Sequence, residues 1–383
     1  MLKAALRKTL PVLGAALLIG SMPGAALATD RNGQVARVMT RNLYLGADLT
    51  PALGAPDLPS FVDAGGAVVR QVTATNFPVR ARGLAAEILG RRPDLVGLQE
   101  VALWRTGPPS LAPVLGGPKT ATTVRYDFLR LLLDRLNAGK VRYRPVVVQE
   151  EFDFEAPVNE NTVRGDGPQP TPDAELNVRL TMRDVILARV DGGVHTSAAA
   201  GGSFQNLLTV PIVGVPITVT RGWTKVDAKV RGARFRLVNT HLEAFDPRTV
   251  HPSIRARQAA ELVAPGGPAT GRLPVVLLGD LNSDDDTVVP DDQQAYRVLL
   301  DAGLVERSTA VPLSCCINSP NLNTGTAADF DHQVDHIMTN APATVRLLNS
   351  TVTGRSMTNG LWNSDHAGIT STLHIHRKHH HRH

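Results

Sequence analysis

Cysteine is nearly missing from this chain: two in 383 residues, side by side at Cys315 and Cys316. That excludes a multi-bridge disulfide framework, and two thiols without nearby partners are a weak signal for zinc. Beyond the first twenty residues there is no long apolar run, so no later segment reaches the roughly 20 residues that a bilayer span needs. Dense Lys/Arg runs are absent between Thr29 and His376, which argues against a protein that clamps long nucleic acid through a basic face. No fixed-period repeat is visible, and no Ser/Gly-rich or Pro-rich linker splits the chain into halves. About 350 residues therefore remain for one domain with long surface insertions.

What is present begins with an export signal. Lys3, Arg7 and Lys8 form a basic stretch, Leu10 to Ile19 an apolar one, and Ala26, Leu27 and Ala28 a small-residue cleavage site. Residues 1–28 are expected to be removed, leaving a secreted chain that starts near Thr29 and works as a monomer. The C-terminal HIHRKHHHRH is a His-rich, basic tail, with 377–383 set outside the domain at 29–376. Setting aside the three basic residues of the signal and Arg377, Lys378 and Arg382 takes six from the 40 Lys and Arg, leaving 34 against 35 Asp and Glu. The formal charge of +5 thus belongs to the ends, and the body is close to neutral.

Hydrophobic patterning lays out alternating strands and helices. Strands are expected at Val35–Leu45, Asp94–Val101, Arg142–Gln149, Met182–Val190, Val334–Met338 and Gly368–Ile375. Trp223–Val230 and Arg234–Leu242 read as a hairpin. Helical spacing marks Arg80–Leu89, Phe128–Leu136, Pro252–Leu262 and Tyr296–Ala302. Phe154–Glu175, rich in Pro, Gly, Asn and acidic residues, reads as an exposed loop, and Gly192–Gly202 as a connector. Leu207–Val219 is apolar and β-rich, but its two prolines exclude a central strand and suggest an edge hairpin; contact with a membrane is the sharper alternative.

The chemistry concentrates at strand ends. PVVLLGDLNS (Pro274–Ser283) is a buried strand that closes by presenting Asp280 and Asn282, two apart and so able to share a side. A carboxylate beside an amide suits orienting a water while donating to a phosphate oxygen. Taken alone, the segment is equally an ordinary turn. Asn42, Glu100, His241, Asp335 with His336, and Asp365 with His366 have the same placement, and six such placements exceed chance. Arg183 and Asp184 read as a surface ion pair as readily as site residues. Arg255, Arg257 and Gln258 read as a solvated helix face, and His336 as a structural histidine.

The ordered segments MTRNLYL, DLVGLQEV, LVNTHLE, LLGDLNS, QVDHIM and NSDHAGI resemble those of the endonuclease/exonuclease/phosphatase superfamily. They span Val35 to Ile375, nearly the whole body of the chain. The resemblance implies an α/β fold, a four-layer α/β/β/α sandwich of two packed mixed sheets flanked by helices. It also implies a metal-dependent phosphoester hydrolase using Mg2+, with Mn2+ and Ca2+ as alternatives. By resemblance Glu100 is the principal metal ligand, Asn42 holds the metal shell or a phosphate oxygen, and Asp365 completes the metal side. Asp280 orients the attacking water, Asn282 donates to a phosphate oxygen, and His366, held by Asp335, accepts a proton or stabilises charge. His241 stabilises or protonates the leaving oxygen.

Substrate choice lies in loops on such a fold. SDDDTVVPDD carries Asp284, Asp285, Asp286, Asp291 and Asp292, a cluster that would repel a long polyanion. A phosphodiesterase or phosphatase acting on small or lipid phosphoesters is the leading expectation. A secreted nuclease related to deoxyribonuclease I is the alternative, and a non-catalytic surface-binding module the third. Neighbouring Cα atoms lie about 3.8 Å apart, below the roughly 4.4–6.8 Å of most disulfides. In an oxidising compartment a vicinal Cys315–Cys316 bond is still the leading reading, with free thiols or an intermolecular bond as alternatives.

Overall fold

The computed structural model describes residues 33–163, 165, 173–246, 250–284, 293–308, 313–340 and 343–376. The export signal, the tail and Asp285 to Asp292 of the acidic loop lie outside the described residues.

The first sheet contains β1 (Gly33–Asn42), β2 (Leu95–Gln99), β3 (Leu103–Gly107), β4 (Thr123–Asp127), β5 (Tyr143–Val158), β6 (Leu176–Arg189), β15 (Val345–Thr353) and β16 (Gly368–His376). Their order is β15-β16-β1-β2-β6-β3-β4, with β5 also on β6. The second sheet runs β13-β14-β12-β11-β10-β7. It is built from β7 (Val194–Ser203), β10 (Gly222–Val230), β11 (Ala233–His241), β12 (Val275–Asp280), β13 (Val305–Glu306) and β14 (Asp335–Thr339). Strands β8 (Leu208–Ile212) and β9 (Val215–Val219) form a separate two-stranded sheet.

Three apolar cores make this a four-layer sandwich. Between the sheets, Val38, Leu95, Ile186, Val226, Phe235, Leu278 and Ile369 pack face to face. Outside the first sheet lie α1 (Thr50–Leu53), α2 (Leu58–Ala74), α3 (Phe77–Arg91) and α4 (Phe128–Leu136). Phe128, Leu132 and Leu136, four apart, form the buried stripe of α4, and its first turn is capped by the Asp127 carboxylate accepting from the Arg130 N–H. Outside the second sheet, α5 (Ile254–Val263) and α6 (Gln294–Asp301) cover Val238, Leu277 and Met338. No helix among the described residues is long and apolar enough to cross a membrane.

Several local expectations are corrected. Most of Gly192–Gly202 lies in strand β7 rather than in a connector, because the β10 ladder supplies backbone partners that its small residues do not advertise. Residues 154–158 continue β5, with Ala156 and Val158 buried and the Glu155 carboxylate accepting from Thr120, Ala121 and Asn177. The 207–219 segment is a hairpin as expected, but it packs under α1 and α2 instead of extending either large sheet. On α5, Arg255 and Gln258 are buried rather than solvated. Arg255 donates to the carbonyl oxygens of Ala244 and Asn282, and Gln258 accepts from Glu243 N–H and donates to Asn206 O. Arg257 is half-buried and donates to Pro252 O.

Register then aims the strands. β1 runs parallel to β2 with Asn42 opposite Gln99, and β11 parallel to β12 with His241 opposite Asp280. β14 is antiparallel to β12 and sets Asp335 opposite Asp280. At Gly97 the sheets meet without a side chain between them; a Cβ there would collide with Leu278 and the Asn239 amide. Gly97→Ala should therefore lower stability by about 1–3 kcal/mol, read from urea unfolding, and an unchanged midpoint would show that the sheets are less closely apposed.

Candidate functional site

Asn42, Glu100, His241, Asp280, Asn282, Asp335, Asp365 and His366 all lie at one end of the sandwich, as the register requires. Asn42 is central. Its Nδ2 donates to Glu100 Oε1 at 3.2 Å and to Asp280 Oδ2 at 2.9 Å, while its Oδ1 accepts from the Tyr44 N–H at 2.8 Å. Glu100 follows β2 with a positive φ of 55°, a sparsely populated conformation for a residue with a side chain. Its Oε2 accepts from the Leu45 N–H at 2.6 Å. Burial and the facing Asp365 push the Glu100 carboxyl up to about 6, and burial likewise raises Asp365.

On the other side, Asp280 is buried, and burial raises its carboxyl as well. Oδ1 accepts from the Asn282 N–H at 2.9 Å, and Oδ2 is approached by His241 Nε2 at 3.6 Å and His366 Nε2 at 3.7 Å. Two imidazole edges and one carboxylate oxygen thus converge on a small volume. His366 Nδ1 bonds Asp335 Oδ2 at 2.9 Å, an oxygen that also accepts from Ser314 Oγ at 2.8 Å. Burial opposes protonation of His366, but Asp335, Asp365 and Asp280 together raise its pKa well above the ordinary value. Asn282 Nδ2 donates to Leu242 O at 3.0 Å, which fixes the amide beside Asp280.

His241 is held differently. Arg221, just before β10, places Nη1 3.1 Å from His241 Nδ1. A guanidinium only donates, so Nδ1 must accept and the ring proton sits on Nε2, facing Asp280. Burial, Arg221 and His366 all push the His241 pKa down. His241 is therefore a neutral hydrogen-bond donor. His336, by contrast, bonds Glu306 at 2.7 Å and Ser283 O at 2.9 Å, a structural pairing, as expected from its sequence.

Three further groups were not legible as site residues. Arg221 and Ser314 lie in segments without a chemical motif, and only the fold carries them to His241 and Asp335. Glu151, on β5, is buried with both carboxylate oxygens unpartnered, and Asp184 Oδ2 on β6 is also unpartnered. Asp184 is no member of a surface ion pair: it is 2 % exposed. Burial raises it to about 8, with Asp280 and Glu100 adding to the effect. Its neighbour Arg183 turns away to Asp127 at 2.6 Å and to Val101 O. Burial and Asp184 raise Glu151 to about 10.

Glu100 and Asp365 offer hard carboxylate oxygens of the kind that suits a small divalent cation retaining several waters, while Asn42, its Oδ1 taken by the Tyr44 N–H, turns Nδ2 toward Glu100. Donor atoms of Asp280, Asp335 and His366 also lie within 4.8 Å of one another, as do those of His366 with Cys315 and Cys316. Within the first group, His366 Nδ1 is already bonded to Asp335 Oδ2. In the second, the cysteines are joined to each other as a disulfide, with sulfurs 3.8 and 3.9 Å from His366 Nε2.

A sequence model of the Endonuclease/Exonuclease/phosphatase family matches residues 64–366. Among solved structures, a Bacteroides thetaiotaomicron member of that family aligns with 16% identity and a TM-score of 0.53, covering 90% of this chain and 99% of that one. A Leptotrichia buccalis member aligns with 12% identity and a TM-score of 0.52, over 88% and 99%. One from Beutenbergia cavernae has 19% identity and a TM-score of 0.51, over 90% and 72%. No curated protein matches significantly.

The Glu151–Asp184 pair makes a signed prediction about stability. Their carboxyls ionise near pH 4 when unfolded but only at about 8 and 10 in the fold. Between those limits the native state holds more protons, so stability falls as pH rises. In EDTA the Tm should drop from about pH 6 to about pH 8, and Asp184→Asn should remove much of that drop, several °C at about 2–4 °C per kcal/mol. A steeper drop in the variant, measured by thermal unfolding at both pH values, would reject the pairing.

Proposed function

The chain belongs to the endonuclease/exonuclease/phosphatase family, whose members are mostly metal-dependent hydrolases of phosphoesters, and from that premise we propose that it is an exported, divalent-metal-dependent phosphoester hydrolase, a phosphodiesterase or phosphatase. The observation that carries the reading is the convergence of His241 Nε2 and His366 Nε2 on Asp280 Oδ2, bonded through Asn42 to Glu100.

Glu100 and Asp365, with Asn42 beside them, would hold the cation, Mg2+ by donor type. Bound there, it supplies positive charge to a phosphate oxygen. Asp280 is placed to orient the attacking water, since its Oδ2 faces the space between the two histidines. Asp335 holds His366 through Nδ1, which leaves Nε2 for a proton or a charged phosphate oxygen. Asn282 keeps one amide hydrogen for a phosphate oxygen, the other being given to Leu242 O. Of the two roles implied for His241, the Arg221 contact supports the first: the neutral ring donates Nε2–H to the leaving oxygen and stabilises it.

The nuclease alternative is less well supported, because among the described residues that line the cleft the charged ones are Asp48, Glu100 and Asp365 against the single cation Arg221. Export rests on the basic, apolar and Ala-Leu-Ala segments before Thr29. It is tested by N-terminal sequencing of protein recovered outside the cells.

Purified protein should hydrolyse bis(4-nitrophenyl) phosphate with Mg2+ and stop in EDTA. Asp280→Ala and His366→Ala should each lower kcat by about 10^2–10^4 with unchanged circular dichroism, and full activity in either would sink the assignment. Rapid nicking of plasmid DNA beside slow ester turnover would move it to the nucleases.

A further inference from the structure

The catalytic carboxylates open onto a cleft of about 560 Å³, within the usual size of a small-molecule site. Glu100, Asp365 and Arg221 line its inner end, and most of the remaining wall is apolar: Leu45, Leu49, Leu53, Phe152, Met182 and Phe245. Leu49, Leu53 and Phe152 also border a second cavity of about 80 Å³ between α1, α2 and β5, whose lining is apolar throughout. Apolar wall thus extends from the cleft, through the shared residues Leu49, Leu53 and Phe152, to a cavity that Ile212 of the β8–β9 hairpin also lines.

Charge along the path excludes a polyanion. Arg221 is the only cation among the described residues of the cleft wall, and it is engaged by His241 and faces Glu243 at 3.7 Å. The other charged wall residues are Asp48, Glu100 and Asp365. Phosphates flanking a scissile bond in nucleic acid are held by Lys and Arg; here they would meet carboxylates. An uncharged apolar group, by contrast, gains from leaving water for this wall. Phe245, 37% exposed at the cleft, is a large apolar residue without cover, as expected where an apolar ligand enters.

We propose that the substrate is an amphiphilic phosphoester, a single phosphate carrying an apolar chain, with the chain lying along Leu45, Met182, Leu49, Leu53 and Phe152. The assignment rests on the phosphoester reading of the catalytic end and names the class of substrate for that site. Such a molecule is either a membrane lipid or a free amphiphile; both present the same phosphate and the same chain.

Direct binding tests the proposal without reference to turnover. Monoalkyl phosphates from methyl to octyl, kept below their aggregation limits, are titrated calorimetrically into the full chain with Mg2+. Octyl phosphate should bind at least about tenfold more tightly than methyl phosphate. Leu53→Asp, at a half-buried position, and separately Phe152→Ser should reduce that ratio to below about threefold. A Kd independent of chain length overturns the proposal even if bis(4-nitrophenyl) phosphate is hydrolysed. Chain-length dependence without any hydrolysis upholds the apolar site and sinks the catalytic reading instead. In a parallel arm with phosphatidylcholine vesicles, release of phosphorus or head group assigns the chain to a membrane lipid. Intact vesicles, alongside tight octyl phosphate binding, assign it to a free amphiphile.

Discussion

One side-chain amide joins the two halves of this site. Asn42 ends a strand of the first sheet, yet its Nδ2 reaches Glu100 on its own sheet and Asp280 on the other. That reach exists only because the sheets approach closely beneath it. Gly97 offers no side chain to hold Leu278 and Asn239 away, and Gln99 Nε2 donates to Asn239 Oδ1 across the gap at 2.5 Å. Displacing one sheet relative to the other would separate Glu100 from Asp280. The inter-sheet core and the site are thus parts of a single geometric constraint.

The second governing feature is charge. Glu100, Asp280, Asp335, Asp365, Asp184 and Glu151 crowd one end of the molecule, and the arginines beside them, Arg41, Arg80 and Arg255, give their hydrogen bonds to backbone carbonyls and Glu87 rather than to these carboxylates. Burial without compensation favours the protonated acids, which is why Asp184 and Glu151 are displaced so far upward. A divalent ion, as proposed, would answer this imbalance for Glu100 and Asp365. Arg221 answers part of it elsewhere, and in doing so decides the tautomer of His241. Along the cleft wall, Arg221 is the only cation among the described lining residues.

Much of the architecture was legible because its signals are local. The apolar run Val275 to Leu278, the four-residue spacing of Phe128, Leu132 and Leu136, and the Trp223–Leu242 hairpin each declare themselves within a short stretch of sequence. What was missed lacked a local signal. β7 is written in Gly, Ala and Ser and owes its form to the β10 ladder, and the buried continuation of β5 passes through a stretch that looks like turn composition. α5 appeared to have a polar face in solution because side-chain type alone cannot show that Arg255 and Gln258 meet backbone groups of Ala244, Asn282, Glu243 and Asn206. For the site, strand-end polar residues were recognisable one by one. Arg221, Ser314 and Glu151 were not, since nothing around them in sequence announces a partner, and Asp184 was legible only as one of two readings.

By itself the sequence determined the elements, their order and which polar groups end the strands, because strand and helix patterns depend on near neighbours and a strand end exposes whatever follows the apolar run. Only the tertiary structure decided which of those ends meet, which histidine is a donor and which is held by a carboxylate, and that the largely apolar cleft is lined by Glu100 and Asp365. Those facts depend on contacts between residues such as Asn42 and Asp280, 238 positions apart, and no local pattern encodes a distance of that kind.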